Sequence, residues 1–221
     1  DCIDSILSQE YSDFNLYIFD DNSKDETVQI IRKYLSFDKR IKLFKSYSNI
    51  GTYSGKNYIF NNFSNSKYIA LHDADDISFK DRFKKQIEFL EKNKDYDICG
   101  SNVFEYNVDK NTKNISKYPE VLDSKNLNII RSIIRDKGIN EFYNIKLCMN
   151  GTTVFRKEKL KILRGWDGYT RIGGDTEIFL RAMKKSKIYN IQETLYQRSI
   201  HQKSLTRSKS HGFKSKIRED Y

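Results

Sequence analysis

Between residues 14 and 107, short apolar runs of strand length alternate with amphipathic runs of helix length, and this alternation restricts the fold more than any other feature. "FNLYIF" (14–19), "IKLF" (41–44) and "KYIALH" (67–72) predict strands, followed by a fourth apolar segment, "YDICGSNVFEYN" (96–107). "DSILSQ" reads as the end of a helix, "KDETVQIIRKYL" as a helix with Val28, Ile31 and Leu35 on one face, and "TYSGKNYIFNNF" as another. A further helix starts at Phe79 with Phe83, Ile87 and Leu90 as its stripe. Ser23 and Glu26 are expected to form a capping box, and Ser78 with Asp81 to cap the helix at Phe79. Alternation of this kind builds an α/β fold, a parallel sheet with helices on its faces, whose ligand crevice lies at the carboxyl ends of the strands.

Beyond residue 107 the pattern loosens. A polar stretch, 107–119, ends at the only proline, Pro119, and reads as a variable insertion. A helix at about 124–136, a strand "GTTVFR" (151–156), a Gly-rich turn "GWDGYTRIGGD", a helix at about 175–185 and two short extended segments follow. No repeat or linker divides the 221 residues, so one domain with one core is expected. The end of the chain carries Lys203, Arg207, Lys209, Lys214, Lys216 and Arg218 with no acid among them, which suggests a mobile or surface-bound tail.

Acidic residues gather where this fold would place a ligand. Asp20 and Asp21 follow one predicted strand, and Asp73, Asp75 and Asp76 follow another. Yet the chain has 40 Lys and Arg against 30 Asp and Glu, a formal charge of +10 that favours polyanionic partners. Carboxylates crowded on a turn repel one another, so something positive must compensate them: a divalent cation, or nearby Lys and Arg. Mg2+ or Mn2+ suits such oxygen ligands, which bridge the ion to substrate phosphates. Turn formation and helix capping are the plainer reading of the same residues. A phosphatase with an Asp nucleophile would want Thr or Val after Asp-X-Asp, where Asp76 stands. A nucleic-acid-binding module would concentrate its basic residues, and here they are spread out. Cys2, Cys99 and Cys148 have no CxxC spacing and cannot all pair, which points to a reducing, cytoplasmic setting. No apolar run approaches the ~20 residues that a spanning helix needs.

The blocks "SILSQEYSDFNLYIFDDNSKDET", "NIGTYSGKN", "YIALHDADDIS", "GTTVFRKEKL", "GGDTEIFLRA" and "HQKSLT", in this order and spacing, resemble family 2 glycosyltransferases of the GT-A fold. The resemblance runs from residue 3 to about 206 and implies a Rossmann-like, mostly parallel central sheet flanked by helices. It implies a nucleotide-binding half (1–104), an acceptor-binding half (105–206) and a separate basic tail (207–221). The family's first strand, of the Val-Ser-Ile-Ile-Pro type, has no counterpart in this sequence.

By position, Asp21 matches the aspartate that holds the uracil end of a nucleotide sugar. Asp75 and Asp76 match the pair contacting ribose and metal, with Asp76 favoured as the direct ligand; Asp73 adds a third carboxylate and leaves the choice among them open. Gly55 and Lys56 replace the family's Ala and Arg, so Lys56 keeps a charge near the nucleotide without the bidentate fork. Asp175 matches the catalytic base, with Gly174 where Glu is usual and Glu177 as the competing carboxylate. His201 resembles the histidine that reaches the metal or diphosphate, while Trp166 and Tyr169 could stack on an acceptor sugar or simply pack. The implied activity is inverting, Mn2+- or Mg2+-dependent transfer from a UDP-sugar to a glycan or lipid-linked acceptor in surface polysaccharide or lipooligosaccharide synthesis. Nucleic acid has no part in it. The tail would add peripheral contact with an anionic membrane face.

Overall fold

The computed structural model describes residues 1–63, 65–138, 141, 145–169, 173–202 and 204. The tail expected at 207–221 lies outside them. The first part of the chain contains α1 (Cys2–Leu7), β1 (Leu16–Asp20), α2 (Thr27–Phe37), β2 (Ile41–Lys45), α3 (Thr52–Phe63), β3 (Tyr68–Ala70), β4 (Ile77–Ser78), α4 (Arg82–Lys92) and β5 (Tyr96–Asn107). It continues with β6 (Thr112–Ser116), β7 (Val121–Leu122), α5 (Ser124–Lys137), a 3-10 turn (Asn150–Thr152), β8 (Val154–Arg156), α6 (Lys157–Ile162), α7 (Gly174–Met183) and β9 (Lys187–Ile200). No helix among the described residues is long and apolar enough to cross a membrane.

The pairing of β1 and β2 is parallel, from Leu16 opposite Ile41 to Asp20 opposite Lys45. Against it packs α3, and the approach is close: a Cβ on Gly55 would lie 2.6 Å from the Phe19 ring, which explains glycine here in place of alanine. Phe44 and Phe63 add a ring contact at 4.1 Å between centroids. The second sheet runs β3-β8-β5-β9-β4, with β6 on β5 and β7 on β9. Its β5·β9 ladder is parallel and the other pairs are antiparallel. The α/β layering is as expected, but parallel pairing is confined to β1·β2 and β5·β9 rather than prevailing through the sheet. Each of β1 and β3 has one partner strand among those described, leaving one edge of each open.

Several local expectations are corrected. Residues 107–119 are no loose insertion: β6 forms a hairpin with β5, its exposure hiding the strand from a reading based on apolar runs. The two extended segments near the end are one 14-residue strand, β9, whose ladder with β5 shifts register at Ser101/Asn102. The Ser23–Glu26 box does not form. Asn22 adopts a positive φ of 67°, tolerable for Asn, and turns the Ser23 N–H back to Asp20 Oδ1 at 3.3 Å. The fourth helix starts at Arg82, not Phe79, because Ile77 and Ser78 are drawn into a ladder with β9, and Asp81 makes no side-chain cap.

One core joins both halves of the chain. Tyr53, Phe60 and Leu71 pack with Ile98, Phe155, Trp166, Ile178, Phe179, Met183 and Ile188. Each large apolar side chain buried this way contributes about 1.5–3 kcal/mol relative to exposure. This core holds the end of β3 against α3 and α7, where the candidate residues lie.

Candidate functional site

The acidic turn after β3 is fixed from two sides. The Leu71 N–H donates to the Thr153 carbonyl at 2.8 Å, and β9 supplies the other anchor. There the Ser199 N–H donates to Asp76 Oδ1 at 2.8 Å, and the Tyr196 hydroxyl accepts from the Asp73 N–H at 3.1 Å. Asp76 is 2% exposed, and burial pushes its carboxyl up to about 7; the Ser199 bond opposes this rise and neighbouring Asp73 adds to it. Asp75 is placed oppositely. Its side chain is 50% exposed, with Oδ2 3.2 Å from His201 Nε2 across 126 residues of sequence.

Beneath the turn lies a cation that the sequence reading did not single out. Arg82 is 0% exposed and donates to the Leu71 carbonyl (2.7 Å), Ser78 Oγ (2.7 Å) and Gln86 Oε1 (3.1 Å). Its guanidinium lies 5.1 Å from the Tyr196 ring centroid, and burial lowers its pKa to about 10, leaving it charged at neutral pH. His72 is pushed down to about 3 by burial and by Arg82, so it is neutral; its Nδ1 lies 2.7 Å from the Asp73 carbonyl. Compensation for the carboxylates therefore comes partly from within the protein.

The second element is the loop leading to α7. From α3, Asn57 donates from Nδ2 to the Trp166 carbonyl at 2.6 Å and accepts the Trp166 N–H on Oδ1 at 3.0 Å. Ser54 Oγ donates to the Gly168 carbonyl at 3.0 Å. These contacts bring the start of α7 to the face of α3. Tyr53 lies near Asp175, and burial together with the Asp175 charge raises the phenol's pKa. Gly174 makes room for this: a Cβ there would lie 2.8 to 3.0 Å from the Tyr53 ring. Lys56 sets Nζ 5.4 Å from the Tyr53 ring centroid and 5.8 Å from that of Trp166. Glu177 is engaged elsewhere, with Arg181 Nε at 2.5 Å from Oε1 and Nη2 at 2.7 Å from Oε2. Trp166 is 3% exposed and packs edge-on against Phe155, whereas Tyr169 is 96% exposed.

Asp21 stands apart, at the mouth of α3. Its two carboxylate oxygens accept the N–H groups of Ile50 (2.7 Å) and Gly51 (2.9 Å), tying the end of β1 to the start of that helix. The structure thus brings Asp73, Asp75, Asp76 and His201 to one turn and sets Asp175 and Lys56 around Tyr53. Asp73 also acts electrostatically on Tyr53, which links the two groups. The residues missed by sequence reasoning are Arg82, Tyr196, Tyr53 and Asn57. Arg82 carried a local signal, its spacing of four from both Ser78 and Gln86, and Asn57 closes the "NIGTYSGKN" block.

Among the described residues no group of three His, Cys, Asp or Glu converges as a closed metal cage. The Asp75–His201 pair still fits a cation that fills the rest of its shell with water and phosphate oxygens, since one carboxylate and one imidazole nitrogen are already adjacent. Asp76, favoured from the sequence as the direct ligand, is the least accessible of the three aspartates.

The family model described as Glycosyl transferase family 2 matches residues 1–163. A Bacillus subtilis protein named as a glycosyltransferase, EpsE, is 31% identical over 202 residues, covering 88% of this chain and 66% of its own length. The Methanocaldococcus jannaschii glycosyltransferase MJ1057 is 38% identical over 110 residues, covering 49% of this chain and 37% of its own. The chain therefore spans less than two thirds of the length of these relatives. Among solved structures, Staphylococcus aureus TarS (residues 1–349) in complex with UDP superposes with a TM-score of 0.68 at 18% identity, covering 91% of this chain and 56% of that one. A Pyrobaculum calidifontis mannosyltransferase in complex with GDP-Man and Mn2+ superposes at 0.61 with 15% identity, covering 89% and 51%. These likenesses establish the GT-A fold, and with the match over residues 1–163 the chain belongs to glycosyl transferase family 2.

Proposed function

We propose that the protein transfers a sugar, with inversion, from a nucleoside diphosphate donor, a UDP-sugar, to the hydroxyl of a glycan or lipid-linked acceptor in surface polysaccharide or lipooligosaccharide synthesis. The observation that carries this reading is the meeting of Asp75 and His201, 3.2 Å apart, beside the turn that faces Tyr53 and Asp175. Asp175 takes the proton from the acceptor hydroxyl as that oxygen attacks the anomeric carbon, and the first turn of α7 favours its ionised form. One displacement suffices, so no covalent nucleophile is needed. Asp75 and His201 would hold Mn2+ or Mg2+, which when bound neutralises charge developing on the departing diphosphate. Lys56 holds a second positive charge near the same phosphates. Asp21, by fixing the N–H groups of residues 50 and 51, shapes the base-binding end. UDP and UDP-GlcNAc in complexes of TarS, and GDP-Man with Mn2+ in the mannosyltransferase, support a nucleotide-sugar donor and a divalent ion. Contact of residues 207–221 with an anionic membrane rests on their charge alone.

A thermal-shift panel of nucleotide sugars with and without Mn2+ tests this reading. One donor should raise the melting temperature only when Mn2+ is present, and His201→Ala should weaken the apparent Mn2+ affinity about 10-fold or more. A panel in which no donor shifts the transition, with or without Mn2+, would overturn it.

A further inference from the structure

We infer that Asp76 is a positioning residue for the cation pair: its carboxylate holds the end of β9 so that His201 meets Asp75, and it stays outside the shell of the ion. The inference rests on the reading of Asp75 and His201 as that pair. Backbone pairing carries it. The β4·β9 ladder sets Ile77 opposite Gln197 and Ser78 opposite Tyr196, and just beyond it the Phe79 N–H donates to the Leu195 carbonyl at 3.0 Å. Backbone groups on one edge of a strand recur at every second residue, so after Leu195 and Gln197 the next to face β4 is Ser199. Strand β4 begins only at Ile77, and before it the chain is still turning, with the Asp76 N–H donating to the Asp73 carbonyl at 3.3 Å. A side chain therefore meets the Ser199 N–H instead: Asp76 Oδ1 accepts it at 2.8 Å and adds one rung to the ladder.

That rung lies two residues before His201. On the opposite edge of β9 the Val108 N–H donates to the Ile200 carbonyl at 2.9 Å, so the strand is held from both sides up to the histidine. His201 then closes a small loop of its own, its N–H donating to Ser204 Oγ at 3.2 Å and its carbonyl accepting the Ser204 N–H at 3.0 Å. The same strand holds the other end of the acidic turn, where the Asp73 N–H donates to the Tyr196 hydroxyl at 3.1 Å. Gly151 leaves room for this contact: a Cβ there would lie 2.5 Å from that hydroxyl and 2.9 Å from Asp73 Oδ2. Between the two clamps Asp75 faces outward, its side chain 50% exposed and Oδ2 3.2 Å from His201 Nε2. Asp76 is 2% exposed and gives one oxygen to an N–H, which suits a group that orders the strand and not one that shares an ion with water and phosphate.

Mn2+ binding to the whole chain with UDP present, read from the electron paramagnetic resonance signal of free Mn2+, tests the assignment without turnover. Asp76→Asn keeps an oxygen for the Ser199 N–H and should leave the Mn2+ affinity within about threefold, whereas Asp75→Asn and His201→Ala should each weaken it about 10-fold or more. Asp76→Ala removes the acceptor and should cost about 10-fold, yet add less than about twofold in the His201→Ala background, because its effect passes through the histidine. A loss for Asp76→Asn equal to that for Asp75→Asn, or losses for Asp76→Ala and His201→Ala that multiply, makes Asp76 a ligand and ends the inference while the cation pair stands. If the wild type binds no Mn2+, or Asp75→Asn and His201→Ala bind it unchanged, the pair itself fails and the inference with it. Should a thermal melt show Asp76→Ala unfolded, the comparison of Asp76→Asn with Asp75→Asn decides alone.

Discussion

Asp175→Asn reduces sugar transfer by about 100- to 10,000-fold and leaves the affinity for UDP within about twofold. The substitution is nearly isosteric, and Asn57 and Ser54 still hold the loop before α7, so the loop and α7 keep their arrangement. What is lost is the ability to take a proton. On the proposed reading, donor binding falls to other groups: Asp21 with the N–H groups of residues 50 and 51, Lys56, and the Asp75–His201 pair. The loss should therefore appear in kcat with little change in donor KM. Isothermal calorimetry with UDP and a coupled assay of UDP release measure the two quantities separately. Unimpaired turnover would sink the assignment. Glu177 is a poor substitute base, because two nitrogens of Arg181 hold its two oxygens.

Much of this arrangement is legible in the sequence, and most of what is not escapes it for one reason. Helix α3 was read with its observed bounds, 52–63, because its apolar positions repeat at helical spacing. The grouping of Asp73, Asp75 and Asp76 at a strand end was equally plain. Periodicity reports burial of apolar groups, however, and is blind to polar groups that are buried and satisfied. Ser23 and Ser78 fit local cap patterns, yet each is drawn elsewhere: the Ser23 N–H back to the Asp20 carboxylate three residues earlier, and Ser78 into the β4·β9 ladder and to Arg82. In the same way β6 was missed because four of its five residues are exposed and only Ser116 is buried. The pairing direction of the larger sheet failed for a different reason. Strand lengths and order say little about whether β8 returns antiparallel between β3 and β5, which is set by the path of the chain through the acceptor half. At the site, the resemblance supplies the candidate carboxylates and His201, but not Tyr53 or Tyr196, since aromatic residues on core-facing elements carry no sign of which polar groups they meet.

Arg82 offers the largest expected effect on stability. Arg82→Ala should lower the free energy of unfolding by about 3–5 kcal/mol, a substantial part of the 5–15 kcal/mol typical of a domain. Three losses combine. The Leu71 carbonyl, Ser78 Oγ and Gln86 Oε1 lose their donor in a fully buried site, each at about 1–3 kcal/mol. A cavity the size of the side chain opens beneath the turn. The Asp73 carboxylate also loses a buried positive charge that acts on it. Against these stands the relief of desolvation: burial lowers the guanidinium pKa to about 10, so the charged form is disfavoured in the fold relative to water. Three well-placed bonds at 2.7, 2.7 and 3.1 Å outweigh that cost only if the fork geometry matters, and Arg82→Lys separates the terms. It keeps the charge, gives up the fork, and should recover less than half of the loss. Urea denaturation of the three proteins reads the differences as shifts in midpoint at constant slope. A loss below about 1 kcal/mol for the alanine variant would mean that desolvation cancels the bonds.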